Sequence, residues 1–214
     1  MSIILLGAPG SGKGTQGKLI EERLNYNNII AGDLLRKEKQ PGYKGISQLG
    51  KEISEIIDKG NLVPDEMISG MIKNRIAQLY YTFGATKGFL FDGYPRTIGQ
   101  AKDLELMYKK YIIMEPVHKV IYIDVPEEVL VQRLLERGKI SGREDDANEE
   151  IIRRRMKNYH EITEPLVDFY KNKLVKINGD RDIEEIFNDI KGYIPKPKYD
   201  SSLKVEVVSL SDKG

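Results

Sequence analysis

Gly7-Ala8-Pro9-Gly10-Ser11-Gly12-Lys13-Gly14-Thr15 follows directly on the apolar run Ile3-Ile4-Leu5-Leu6. An unbroken apolar run stopped by glycine reads as a strand buried on both faces. After the glycines, residues 15–24 carry apolar positions at helical spacing, so the order is strand, glycine loop, helix. Without side chains the glycines let the backbone wrap with its N–H groups pointing inward. Together with the helix N-terminus these make a nest for phosphate oxygens, to which Lys13 adds a full positive charge. The stretch is a phosphate cradle, assigned to Gly10, Ser11, Gly12, Lys13, Gly14 and Thr15.

The cradle departs from its strict form at Gly14, where a Ser or Thr normally holds magnesium; the hydroxyl comes one residue later, as Thr15. A metal is then expected to be held mostly by phosphate oxygens and water. A guanine reader of the form Asn-Lys-x-Asp is also missing, since Asn172-Lys173-Leu174-Val175 lacks the acid, which argues against a GTPase.

Working outward, residues 2–6, 89–91, 120–124 and 174–177 read as strands, with a weaker one at 28–30. Between them, residues 15–24, 46–59, 66–79, 129–137, 149–159 and 183–190 show helical spacing. This alternation predicts an α/β fold in which a parallel sheet carries helices on both sides. Such sheets bind ligands at the carboxyl ends of their strands, just after Leu6, Ile30, Phe91 and Asp124 here. Pro126-Glu127-Glu128 reads as a helix start, and Arg137-Gly138 as its end. From residue 194 the text reads as a linker followed by a possible strand at 203–210.

The 34 Lys and Arg nearly cancel the 33 Asp and Glu in this 214-residue chain, leaving a net charge of +1. An anionic ligand must therefore be drawn by local clustering, and a basic coat for nucleic acid is not expected. Without cysteine there is neither a disulfide nor a thiolate zinc site, so no structural zinc is expected. With 40% hydrophobic and 31% charged residues and no long apolar stretch, the sequence reads as a soluble cytoplasmic protein with no membrane partner.

Four motifs in order carry a resemblance. The glycine loop, Ala31-Gly32-Asp33-Leu34-Leu35-Arg36, Asp92-Gly93-Tyr94-Pro95-Arg96-Thr97 and Ser141-Gly142-Arg143-Glu144-Asp145-Asp146 resemble those of adenylate kinases and related nucleoside-monophosphate kinases, over residues 1 to about 192. The resemblance implies a P-loop three-layer α/β/α fold on a five-stranded parallel sheet. It divides the chain into a core (1–30, 65–137 and 147–193), an acceptor-binding helical insert (31–64), a short lid (138–146) and a C-terminal extension (194–214). It also implies a monomer that uses Mg²⁺ as MgATP and transfers a phosphoryl group reversibly between ATP and AMP.

By the same resemblance Lys13 meets the donor β- and γ-phosphates, and Arg36 and Arg96 clamp the acceptor phosphate. Arg137, Arg143 and Arg155 surround the transferring group, and Arg143 and Arg155 also belong to the AMP side. Arg133 packs on the ATP adenine; Ala31, Gly60, Leu62, Val63, Gly93 and Gln100 line the AMP site. Phosphoryl transfer needs positioning and cations more than covalent chemistry, and guanidinium forks suit phosphate oxygens. Helical geometry adds that Arg133 and Arg137, at i and i+4, share a face, whereas Arg153, Arg154 and Arg155 point about 100° apart and cannot all serve one site. Asp145 and Asp146 are expected to pair with cleft arginines when the lid shuts. His118 and His160 are read as ordinary surface residues.

Asp92 ends an apolar strand, and the resemblance implies that it holds a magnesium water shell. Asp33 either caps a helix beginning near Leu34 or orients the acceptor loop and the metal's water shell. Ala31 stands where adenylate kinases usually have Thr or Ser and resembles uridylate–cytidylate kinases, while Gln100 resembles the adenine-reading glutamine. A hydrogen-bonding group discriminates bases where an alanine cannot, so AMP is favoured. The alternatives are a UMP/CMP kinase of the same family and an ATP-binding regulatory module without turnover.

Overall fold

A computed structural model describes residues 1–41, 46–83, 87–110, 116–141, 144–146 and 148–195. Strands β1 (Ser2–Leu6), β2 (Tyr26–Ile30), β3 (Gly88–Asp92), β4 (Val117–Asp124) and β5 (Leu174–Asn178) form one parallel sheet in the order β2-β3-β1-β4-β5. All five strands contain the predicted segments. The helices are α1 (Lys13–Leu24), α2 (Ala31–Glu38), α3 (Gln48–Ile57), α4 (Asp65–Phe83), α5 (Ile98–Lys110), α6 (Glu127–Ser141), α7 (Glu149–Asn158), α8 (Leu166–Phe169) and α9 (Ile183–Tyr193).

Every residue of β1 is buried, which explains the unbroken apolar run. The pleat then sends alternate side chains to opposite faces. Ile4 and Leu6 join one core with Ile29, Phe91 and residues of α2 to α5, and Ile3 and Leu5 join the other with Ile20, Ile121 and Phe187. On that second face α1 packs against α9. Connections out of β1 and β4 leave in opposite directions along the sheet, making the kind of switch point at which ligands bind.

The helix ends correct several expectations. The α6 helix does not stop at Gly138 but continues to Ser141, whose hydroxyl donates to Arg137 O at 2.7 Å. Gly138 stays helical rather than entering the left-handed region that a C-terminal glycine stop requires, so the first residues read as lid are helix. The α2 helix starts at Ala31, which places Asp33 inside the first turn and not at the cap, a position held by Ile30. The sequence pattern predicts neither the helix over 98–110 nor the π-turn Tyr159–Thr163. The stretch read as a linker begins packed against the core: Ile194 is buried in the second core, and Tyr26 Oη donates to Pro195 O at 2.8 Å. The strand expected at 203–210 lies outside the described residues. Among the described residues no helix is long and apolar enough to cross a membrane.

Candidate active site

Above the carboxyl ends of the strands lies an open cleft of about 1310 Å³. Its floor is the glycine loop. Gly7 has φ +147°, and a Cβ there would stand 2.6 Å from Ile123 O, so a side chain cannot be placed without moving β4. Gly12 caps α1 with φ +94° and opens the helix N-terminus to the cleft. Lys13 folds back over the loop, its Nζ donating to Gly7 O and Ala8 O, both at 2.8 Å, and to Ser11 Oγ at 3.3 Å. Burial pushes its amine down to about 8; Arg96, Arg137 and Arg155 push the same way, and Asp92 opposes them.

Asp92 closes β3, is 7% exposed and faces the cleft beside Gly14, whose position a Cβ would fill 3.6 Å from Asp92 Oδ2. Burial raises its carboxyl pKa, with Lys13 and Arg96 pulling the other way. Among the described residues no three His, Asp or Glu side chains cluster as a metal cage. The Asp92 carboxylate, with Asp33 and the Thr15 hydroxyl also lining the cleft, is the sparse donor set of an ion that keeps most of its waters and takes the rest of its ligands from phosphate, as Mg²⁺ does.

The side of the cleft expected to take the acceptor is built on β3, α2 and the segment around Gly60. Arg96 is pushed below its usual pKa by burial and by Arg155, and its Nε donates to Gly93 O at 3.0 Å. Arg36 pairs with Asp33 one turn away on α2 and lines the cleft. That pairing makes Asp33 a partner of Arg36 rather than a cap. Gly60, with φ +76°, lies under α7, where Asn158 Nδ2 donates to Gly60 O at 2.9 Å and Arg154 Nη1 to Lys59 O at 3.2 Å. Leu62, Val63, Ala31 and Gln100 line the cleft beside it.

Arg137 and Arg155 meet at one carboxylate. Arg137 donates to Asp146 from Nε at 2.6 Å and from Nη2 at 3.0 Å, and Arg155 Nη1 reaches the same carboxylate at 2.5 Å. Arg155 also pairs with Asp145 at 2.8 Å. Asp146 is wholly buried; burial alone would raise its pKa, but hydrogen bonds and charge from Arg137 and Arg155 hold it below the usual carboxylate value. Of the three consecutive arginines only Arg155 enters the cleft, while Arg153 pairs with Glu149 and Arg154 with Glu150. Arg133 lines the cleft and is held by Gly179 O at 3.1 Å and Asp180 at 3.0 Å. Arg143 lies outside the described residues. His160 sits half-exposed between Glu164 and Glu127, away from the cleft.

Sequence reasoning missed the turn after β5, where Gly179 and Arg181 also line the cleft. The rule that pointed past the other strands applies equally after Ile177 and would have found it. Lys39, held by Asp58, is a further cleft cation that no motif marked.

A sequence model of the family described as "Adenylate kinase" matches residues 5–175. The chain is 43% identical over 192 residues to the adenylate kinase of Bacteroides thetaiotaomicron, covering 89% of this chain and 96% of that one. It is 45% identical over 193 residues to the adenylate kinase of Parabacteroides distasonis, with coverage of 89% and 96%. The adenylate kinase of Stenotrophomonas maltophilia is 40% identical over 188 residues, with coverage of 87% and 95%. A phosphate cradle on the central strand, a ring of arginines above it and these matches along most of the chain place the protein in the adenylate kinase family.

Proposed function

We propose that this chain, as an adenylate kinase, transfers a phosphoryl group reversibly from ATP to AMP to give two ADP, with roles divided between the two halves of the cleft. The observation that carries the reading is that Lys13, Arg96, Arg137 and Arg155 line one cavity together with a base-reading candidate, Gln100, on the acceptor side. A protein that only bound ATP would have no use for the acceptor half.

In this reading the loop N–H groups and Lys13 hold the donor phosphates, and Arg133 lies along the donor base. Arg36 and Arg96 fix the acceptor phosphate; Arg137, Arg155 and Arg143 balance the charge that spreads over the moving group. No protein nucleophile is required, because alignment and fixed cations supply the rate; an arginine at such a centre contributes about 10³–10⁵ in kcat. Mg²⁺, when bound with ATP, would neutralise phosphate charge, held through water by Asp92. Asp33 serves by holding Arg36. Phosphate oxygens would take the places that Asp145 and Asp146 hold on Arg155 and Arg137.

The acceptor is AMP, read by Gln100, with Ala31 contributing apolar surface only. The test is ADP formation with ATP and magnesium, offering AMP, CMP or UMP in separate reactions. AMP should be strongly preferred. Preference for CMP or UMP would make Ala31 the specificity mark and overturn the assignment of Gln100; no ADP with any acceptor would leave a binding module.

A further inference from the structure

The Gln100 amide is held at both ends by the protein itself. Its Oε1 accepts from the Arg96 backbone N–H at 2.7 Å, and its Nε2 donates to Asp65 Oδ1 at 2.8 Å. The other oxygen of Asp65 accepts from Thr97 Oγ1 at 2.6 Å, and that hydroxyl accepts from the Gln100 N–H at 3.0 Å. A closed hydrogen-bonded ring thus joins the start of α4 to the start of α5, at a side chain that is 3% exposed yet borders the cleft.

The chemistry of the two outer partners matters more than their distances. A carboxylate can only accept and a peptide N–H can only donate, so the amide cannot turn end for end. Turning it would lose two hydrogen bonds and set oxygen against oxygen and N–H against N–H, with little water to repair either. What remains for a ligand is one lone pair on Oε1 and one N–H on Nε2, in a fixed order. The adenine edge, an exocyclic amino group beside an unprotonated ring nitrogen, matches that order. The edge of a 6-oxopurine, a carbonyl beside a ring N–H, is its inverse. An unrestrained glutamine could turn to meet either one.

We infer that Asp65 is a positioning residue that determines specificity: with the Arg96 N–H it locks the Gln100 amide in the one orientation that accepts from an amino group and donates to a ring nitrogen, so that 6-oxopurine nucleotides are refused. The inference rests on Gln100 reading the acceptor base, as proposed above. Cytosine presents the same order as adenine, so the lock separates amino from oxo bases, and purines must be told from pyrimidines by the shape of the pocket around Leu62 and Val63. The backbone N–H that locks the amide belongs to Arg96, so one short segment sets both the acceptor base and its phosphate.

Asp65→Asn keeps the shape but replaces an obligatory acceptor with a group that can donate, and the Thr97 hydroxyl can adapt to either orientation. Initial rates with ATP and either AMP or IMP as acceptor read the outcome. The kcat/KM preference for AMP over IMP should fall at least tenfold, through a higher KM for AMP and gained use of IMP, with the KM for ATP unchanged. A preference within twofold of wild type would overturn the lock, and so would an equal loss for both acceptors, which is what a merely structural role produces. Thr97→Val frees Asp65 from its other side and should shift the preference in the same direction by about threefold; if Asp65→Asn does not fold, an unshifted preference in Thr97→Val overturns the inference. Gln100→Ala separates the two levels. If the preference survives it, Gln100 does not read the base; if Gln100→Ala relaxes the preference and Asp65→Asn does not, only the lock is wrong.

Discussion

Removing Asp146 tests the arginine cluster most directly. The carboxylate is wholly buried and takes three hydrogen bonds, two from Arg137 at 2.6 and 3.0 Å and one from Arg155 at 2.5 Å. Breaking a buried pair from one side costs about 3–5 kcal/mol, because the partner's charge is left without compensation. The Arg137 side chain is 36% exposed, so water recovers part of that loss, whereas Arg155 is 16% exposed and keeps Asp145. Asp146→Ala should therefore cost about 2–3 kcal/mol, or roughly 4–12 °C in Tm for a chain of this size. Thermal unfolding followed by circular dichroism would measure it.

The pH dependence has a definite sign. With its folded pKa held below the ordinary value, Asp146 contributes stability that is present above about pH 4 and is lost as pH falls through the folded pKa. The Tm gap between wild type and variant should be full at pH 7 and narrow near pH 3. A bisubstrate mimic carrying phosphates should narrow it at pH 7 as well, because anionic oxygens take over the abandoned arginines. A gap below about 2 °C at neutral pH, or one that widens in acid, would refute this account.

Arg96→Ala should lower kcat by at least about 10²-fold with little change in Tm, since among the described residues the guanidinium is held by one carbonyl, Gly93 O, and by no carboxylate hydrogen bond; near-normal turnover would remove it from the acceptor site. Gly7→Ala should cost upward of about 2 kcal/mol and abolish ATP binding, because its Cβ would stand 2.6 Å from Ile123 O; an unchanged urea midpoint would contradict the loop geometry. Arg133→Ala should raise the KM for ATP several-fold and leave that for AMP alone, and steady-state kinetics with each substrate varied would show any other pattern.

Much of this was legible because each signal was local. The strands were readable where both faces are buried, as at Ile3–Leu6, and the cradle was readable because glycine at Gly7 and Gly12 is forced by backbone conformation. What failed was where a local rule met a tertiary contact. Gly138 carries the text of a helix end, yet α6 runs on through it to Ser141, past Arg137 and its pairing with the buried Asp146. The α5 helix carries little apolar periodicity in its first turns, although Thr97-x-x-Gln100 is a capping signature that was available. Only half of that signature forms: Thr97 accepts from Gln100 N–H, while the Gln100 side chain turns to the Arg96 N–H and to Asp65. The convergence of Asp146 on two arginines was expected from resemblance, but its complete burial was not written in any spacing.

The position of β1 between β3 and β4 also has a kinetic meaning. Its amides are paired on both edges and covered on both faces, so they exchange with solvent only when the sheet itself opens, whereas β2 and β5 can release from the edges first. The glycine loop hangs from the end of that most persistent strand, and Arg36, Arg137 and Arg155 ride on helices outside the sheet. The molecule can therefore loosen its cationic half in partial openings while the phosphate floor keeps its shape.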